Sequence, residues 1–187
     1  MAGKVGILAL QGDYEAHRKA IESVGGQTIE VRTKTDLDSI DGLIIPGGES
    51  TTMLRLLREE NLFDPLKDFG SRKPVFGTCA GAILLAKTVE NPQQDSLGLM
   101  DIDVQRNGYG RQVDSHISSI AIEDLGSVEA VFIRAPIIRR TGPEVQVLAE
   151  HRGDPVLVRQ GNHFAATFHP ELTKDHRLHQ LFLENLT

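Results

Sequence analysis

Residues 74–87 read PVFGTCAGAILLAK, and this stretch decides the fold. Pro74 to Gly77 is an apolar run of strand length, and Ala80 to Lys87 reads as the helix after it. Between them Cys79 stands at a sharp turn, with Gly77 two residues before and Gly81 two after. Upstream the alternation repeats. Val5 to Leu10 is a continuous apolar strand, and Gln11-Gly12-Asp13 is a turn. Tyr14 to Val24 has helical spacing through Ala16, Ala20, Ile21 and Val24 and ends at Gly25-Gly26. Thr28 to Arg32 and Gly42 to Ile45 read as further strands, and Ser50 to Glu60 as a helix with Met53, Leu54 and Leu57 on one face. Short apolar strands alternating with helices predict a parallel sheet covered on both faces.

Downstream the texture changes. Met100 to Arg106, His116 to Ile122, Ala130 to Arg134, Val145 to His151, Pro155 to Arg159 and His163 to Phe168 are strand-like, with few helical stretches between them. Asp175 to Leu186 reads as an amphipathic helix through Leu178, Leu181, Phe182 and Leu186. The expectation is one three-layer α/β domain over residues 1–187, with mostly antiparallel strands added in its second half.

Composition narrows the function. The chain has 187 residues and a net charge of −6, from 26 acidic and 20 basic side chains. That balance argues against nucleic-acid binding, which needs a basic surface, and Arg139-Arg140 is too short a cluster to change it. No run approaches the ~18 apolar residues of a membrane span, and the N-terminus reads as a first core strand rather than a signal peptide. A single cysteine excludes an internal disulfide and suits a reducing, cytoplasmic setting. It also excludes a cysteine-based zinc site.

Three segments carry chemistry: Pro46-Gly47-Gly48-Glu49-Ser50, Gly77-Thr78-Cys79-Ala80-Gly81 and Phe168-His169-Pro170-Glu171. In open α/β sheets, functional groups collect at the carboxyl ends of the strands, where all three fall. A lone cysteine is ordinarily a small buried hydrophobe. Here the glycine frame and strand–turn–helix setting give a nucleophile elbow with sulfur in place of the serine oxygen. The helix N-terminus favours thiolate. His169 and Glu171 stand at i and i+2, on one side of an extended chain, which suits a base and its orienter. The turn at Gly47-Gly48 offers backbone N–H groups, and Gly48 and Ala80 become the expected oxyanion donors. No lysine follows these glycines as in a Walker loop, and neither Gly6 nor Gly12 begins a dinucleotide fingerprint. His176 and His179, one helical turn apart, lack a third ligand and read as an exposed helix face.

The stretches GILALQGD, DGLIIPGGESTTM, FGTCAGAILLA, RNGYGRQVDS, FIRAP and FHPELTKDHRLHQLF, in this order, resemble the class I (triad) glutamine amidotransferases. More narrowly, they resemble the glutaminase subunits of pyridoxal 5'-phosphate synthase. The triad motifs specify only the superfamily; PGGESTTM with RNGYGRQVDS is far more discriminating. The match runs from Lys4 to the end, with variable segments around 27–39, 90–97 and 153–162.

The resemblance implies a flavodoxin-like class I amidotransferase fold, with Cys79 as nucleophile, His169 as base and Glu171 as its partner. It implies a glutamine site built from Gly47, Gly48, Glu49, Arg106, Ile133 and Arg134. An arginine fork is a natural receptor for the α-carboxylate of glutamine. It further implies a loop at Gln11 facing a partner, the (β/α)8 synthase subunit, in a large hetero-oligomer. The expected chemistry needs no metal or organic cofactor. The nearest rival is a glutaminase serving another synthase. Relatives with a histidine directly after the elbow cysteine are disfavoured, because Ala80 stands there.

Overall fold

The computed structural model describes residues 3–107 and 115–186. Most of RNGYGRQVDS therefore lies outside the described residues, Arg106, Asn107 and Ser115 excepted. The central sheet has seven strands in the order β10-β11-β12-β4-β3-β1-β2. Five of them are parallel: β12 (His163–Ala166), β4 (Val75–Thr78), β3 (Gly42–Ile45), β1 (Lys4–Leu8) and β2 (Gln27–Val31). β10 (Gln146–His151) and β11 (Asp154–Gln160) continue the sheet antiparallel. A three-stranded sheet joins β5 (Ala86–Glu90), β6 (Met100–Gln105) and β9 (Ile137–Thr141). A hairpin pairs β7 (His116–Ile122) with β8 (Gly126–Phe132).

Alternation along the buried strands sends side chains to two separate cores. Leu43 and Ile45 join Leu8, Met53, Leu57 and Val75 on one face. Ile44 joins Ile7, Phe76, Phe164, Phe168 and Phe182 on the other. The first face is covered by α3 (Ser50–Glu59), α4 (Phe63–Gly70), α5 (Ala80–Leu85) and the short α2 (Lys34–Leu37). The second is covered by α1 (Tyr14–Ser23), α6 (Arg177–Glu184) and the β7–β8 hairpin. The result is the expected three-layer arrangement, a mostly parallel sheet with antiparallel additions.

Several boundaries differ from the sequence reading. α5 stops at Leu85, because Ala86 turns extended (φ −62°, ψ 149°) and pairs with Met100. α2, α4 and β9 were not expected. β9 contains Arg139-Arg140, and Arg140 bonds Asp103 and Asp101 on β6 at 2.7 and 2.6 Å. Strand β8 begins at Gly126, upstream of Ala130, and ends before Ile133. No described helix is long and apolar enough to cross a membrane.

Candidate active site

The carboxyl ends of β1, β3, β4 and β12 lie on one edge because these strands are parallel. The chain leaving each strand there contributes to one pocket of 440 Å³. It is lined by Gln11 and Asp13 after β1, Gly48 and Glu49 after β3, Cys79 and Ala80 after β4, and His169 after β12. Arg106, Asn107, Ile133 and Arg134 close the other side. A volume of this size suits an amino acid.

Cys79 has φ 50° and ψ −106° at the N-cap of α5, a left-handed backbone held against the preference of any residue with a β-carbon. Its N–H donates to the Ala166 carbonyl at 2.8 Å, extending the β4–β12 ladder one residue past the strand. Gly81, in the next turn, has no room for a side chain, since a β-carbon there would collide with the Ile45 carbonyl. The sulfur lies 4.0 Å from the Ile133 carbonyl oxygen.

His169 is held from both sides. Its backbone N–H donates to Val131 of β8 at 2.8 Å, and its Nδ1 lies 2.6 Å from Oε1 of Glu171. Burial lowers the imidazole's proton affinity, but the neighbouring Cys79 sulfur and the hydrogen bond to Glu171 outweigh it and raise its pKa to about 10. The site therefore favours a protonated imidazole beside the sulfur. The two residues meet by a different route from the one expected: Pro170–Leu172 is a 3-10 turn, so Glu171 folds back under His169 rather than extending beside it. The Glu171 side chain is fully buried behind the ring, off the pocket surface.

Gly48 and Glu49 face the pocket, and the Gln11 amide oxygen accepts the Glu49 N–H at 3.0 Å. The Glu49 carboxylate caps α3, accepting the N–H groups of Thr51 and Thr52 at 3.1 and 2.7 Å. Burial pushes its pKa up, and these donors, with the Thr52 hydroxyl, hold it below the ordinary carboxylate value. Arg106 donates to Thr51 Oγ1 at 2.7 Å and lies 3.7 Å from Glu49. Arg134 is exposed, with a positive φ of 44°. Gly47 is placed differently from the other glutamine-site candidates: it is buried behind the wall, its α-carbon packed on His169. Ala80 opens α5, where the first N–H groups have no acceptor within the helix.

Two residues of this neighbourhood were not singled out from sequence. Asp13 lines the pocket, and its carboxylate, the His169 ring and Glu171 offer atoms within 4.8 Å of one another. His17 is wholly buried behind the triad candidates. It stands at the start of an i, i+3, i+4 stripe with Ala20 and Ile21, the signal that places it on the core face of α1. His179 departs from the expected exposed face: it is buried, with Nε2 2.9 Å from His17 Nδ1. His176 is half-buried, with its nitrogens near Ser23 Oγ and the Thr173 carbonyl, at 2.7 and 3.1 Å.

Known proteins match this chain in sequence and in fold. A subunit PdxT of pyridoxal 5'-phosphate synthase from Solibacter usitatus (strain Ellin6076) is 58% identical, covering 98% of this chain and 99% of its own. The subunit of the same name from Thermotoga neapolitana is 51% identical, covering 97% of this chain and 98% of its own. A crystal structure of a glutamine amidotransferase superposes with a TM-score of 0.92 at 49% identity, covering 97% of this chain and 98% of that one. PurLQS from Thermotoga maritima shares the fold at a TM-score of 0.74 and 17% identity, over all of both chains. The family model described as the SNO glutamine amidotransferase family matches residues 7–187, and this chain belongs to that family.

Proposed function

We propose that the protein hydrolyses the side-chain amide of L-glutamine and delivers the ammonia to a synthase subunit that makes pyridoxal 5'-phosphate. The observation that carries the reading is the left-handed Cys79 facing a pocket beside a histidine bonded to a buried carboxylate. The near-full-length relatives named as synthase subunits support the pathway.

In this reading the Cys79 sulfur, as a thiolate beside the already protonated His169, attacks the amide carbon. The N–H groups of Gly48 and Ala80 receive the negative oxygen, where losing one donor costs about 3 kcal/mol of barrier. The imidazolium then protonates the leaving nitrogen. Ammonia departs and a thioester remains. The neutral imidazole next takes a proton from water, whose oxygen attacks the thioester and releases glutamate. Glu171 holds the His169 tautomer that these transfers require. Arg106 and Arg134 receive the α-carboxylate of glutamine, with Glu49 and Ile133 completing the site and Gly47 fixing its wall. The chemistry calls on no metal or organic cofactor.

Ammonia in neutral water is mostly protonated and no longer a nucleophile, so it must pass directly to its acceptor. A (β/α)8 synthase subunit in a large hetero-oligomer, docked over the Gln11 edge, fits that need. A free catalytic thiol suits a cytoplasmic setting. The Cys79→Ala protein should fold normally and release no glutamate, and glutamate release at the wild-type rate excludes the mechanism. Adding the synthase subunit should raise turnover; equal rates with and without it exclude the coupling.

A further inference from the structure

Glu171 is a fully buried carboxylate with two oxygens, and His169 occupies only one of them. Oε2 has no hydrogen-bond partner at normal distance. The described donor facing it is Nε2 of His17, at 3.4 Å across a site that excludes solvent. The same Nε2 lies 3.0 Å from Thr78 Oγ1, one residue before the elbow. On its other side, His17 Nδ1 lies 2.9 Å from Nε2 of His179, and Nδ1 of His179 is buried without a partner.

Two neutral tautomer chains are possible. With the proton on Nε2, His17 donates toward Glu171 and Thr78, while its Nδ1 accepts the Nε2–H of His179. A lone pair on His179 is then unmet, and the Thr78 hydroxyl has no described acceptor for its own proton. With the proton on Nδ1, His17 turns a lone pair toward the Glu171 carboxylate. His179 is then left with a buried, unpaired N–H. Each arrangement leaves one buried donor without a described acceptor, Thr78 O–H in the first and His179 Nδ1–H in the second. Only the second sets a lone pair against a buried carboxylate, the costlier defect. Burial, with the neighbouring His179 and His169, keeps His17 well below its ordinary pKa, so it stays neutral. His179 falls to about 3 for the same reason, with His176 adding to it.

We propose that His17 is a positioning residue of the catalytic machinery, its Nε2–H directed at Glu171 Oε2 so that Oε1 stays turned to His169, with His179 fixing the His17 tautomer. This rests on the glutaminase reading above. His17 touches no substrate, so its loss acts on turnover rather than on glutamine affinity.

The test uses three variants of the full chain, assayed for glutamate release with the synthase subunit present. His17→Gln keeps an amide N–H at the Nε2 position. His17→Asn offers one only at the Nδ1 position, and His17→Leu offers none. The Leu and Asn proteins should lose about tenfold or more in kcat with KM within about twofold, whereas Gln should stay within about threefold of wild type. Equal activity in all three, whether full or impaired, overturns the proposal. Ring-nitrogen NMR of the 15N-labelled wild-type protein decides the matter independently of variant activity, the His17 signals being those lost in a His17→Gln protein that otherwise keeps the wild-type spectrum. An Nε2–H tautomer supports the proposal, and an Nδ1–H tautomer overturns it. A wild-type protein that releases no glutamate would sink the functional reading instead, leaving the NMR result to judge His17.

Discussion

Gly47 carries more of the site's geometry than its size suggests. A β-carbon there would sit 2.5 Å from Cε1 and 3.0 Å from Nδ1 of His169, and 3.4 Å from the Cys79 β-carbon. The ring cannot retreat freely, because Nδ1 is bonded to Glu171 and the backbone N–H to Val131. Gly47→Ala should therefore displace the imidazole from the sulfur. A misplacement on the order of 1 Å costs about a hundredfold in rate. The expected result is a kcat lowered by about that factor, with KM little changed. A variant with wild-type kcat would mean that the ring has room to give way.

At the scale of the elements, Glu49 joins helix stability to the site. It caps α3 through two backbone N–H groups and also pairs with Arg106. Glu49→Ala should lose about 1 kcal/mol in urea unfolding, the ordinary value of a cap, and raise KM for glutamine. An unchanged unfolding midpoint would contradict the capping role. The sequence made β1, β3 and β4 legible because each is a short, mostly apolar run with a glycine turn close behind it, as Gly42–Ile45 has Pro46-Gly47-Gly48. The parallel direction of β3, β4 and β12 puts Gly48, Cys79 and His169 on the same edge, so most of the pocket could be read in advance. β9 was hidden because Arg139-Arg140 interrupts its apolar pattern, and their partners on β6, Gln105, Asp103 and Asp101, lie 34 to 39 residues away. α4 was hidden by Pro65, which is tolerated in a helix's first turn. The fold of Glu171 beneath His169 depends on a 3-10 turn that a spacing of two does not specify. His179 follows the period of its own helix, yet its burial depends on contact with His17, 162 residues away.

For the whole molecule, the buried histidines set how stability responds to acid. His17 and His179 are neutral in the fold, with pKa values pushed down by burial, that of His179 to about 3. Once unfolded they titrate near the ordinary value of 6.5. Below pH 6.5 the unfolded chain thus binds protons that the folded chain refuses, and stability falls as pH drops toward the folded pKa. His151 and His163 are lowered as well and act in the same direction. His169 does the opposite. Its raised pKa gives stability that is complete below 6.5 and is lost only as pH climbs toward about 10, so it adds no slope in the acid range. The carboxylates with lowered values, Glu49, Asp41 and Asp175 among them, release their stability only below their ordinary pKa values near 4. The interval between pH 6.5 and 5 therefore belongs to the histidines. Over it, His179 alone should cost about 2 kcal/mol, 1.36 kcal/mol per unit over one and a half units. Urea unfolding at pH 7 and pH 5 should show that loss in the wild-type protein and a correspondingly smaller one in His179→Leu. Equal losses in both proteins would mean that His179 is solvated, and that the layer between α1 and α6 is wetter than its packing implies.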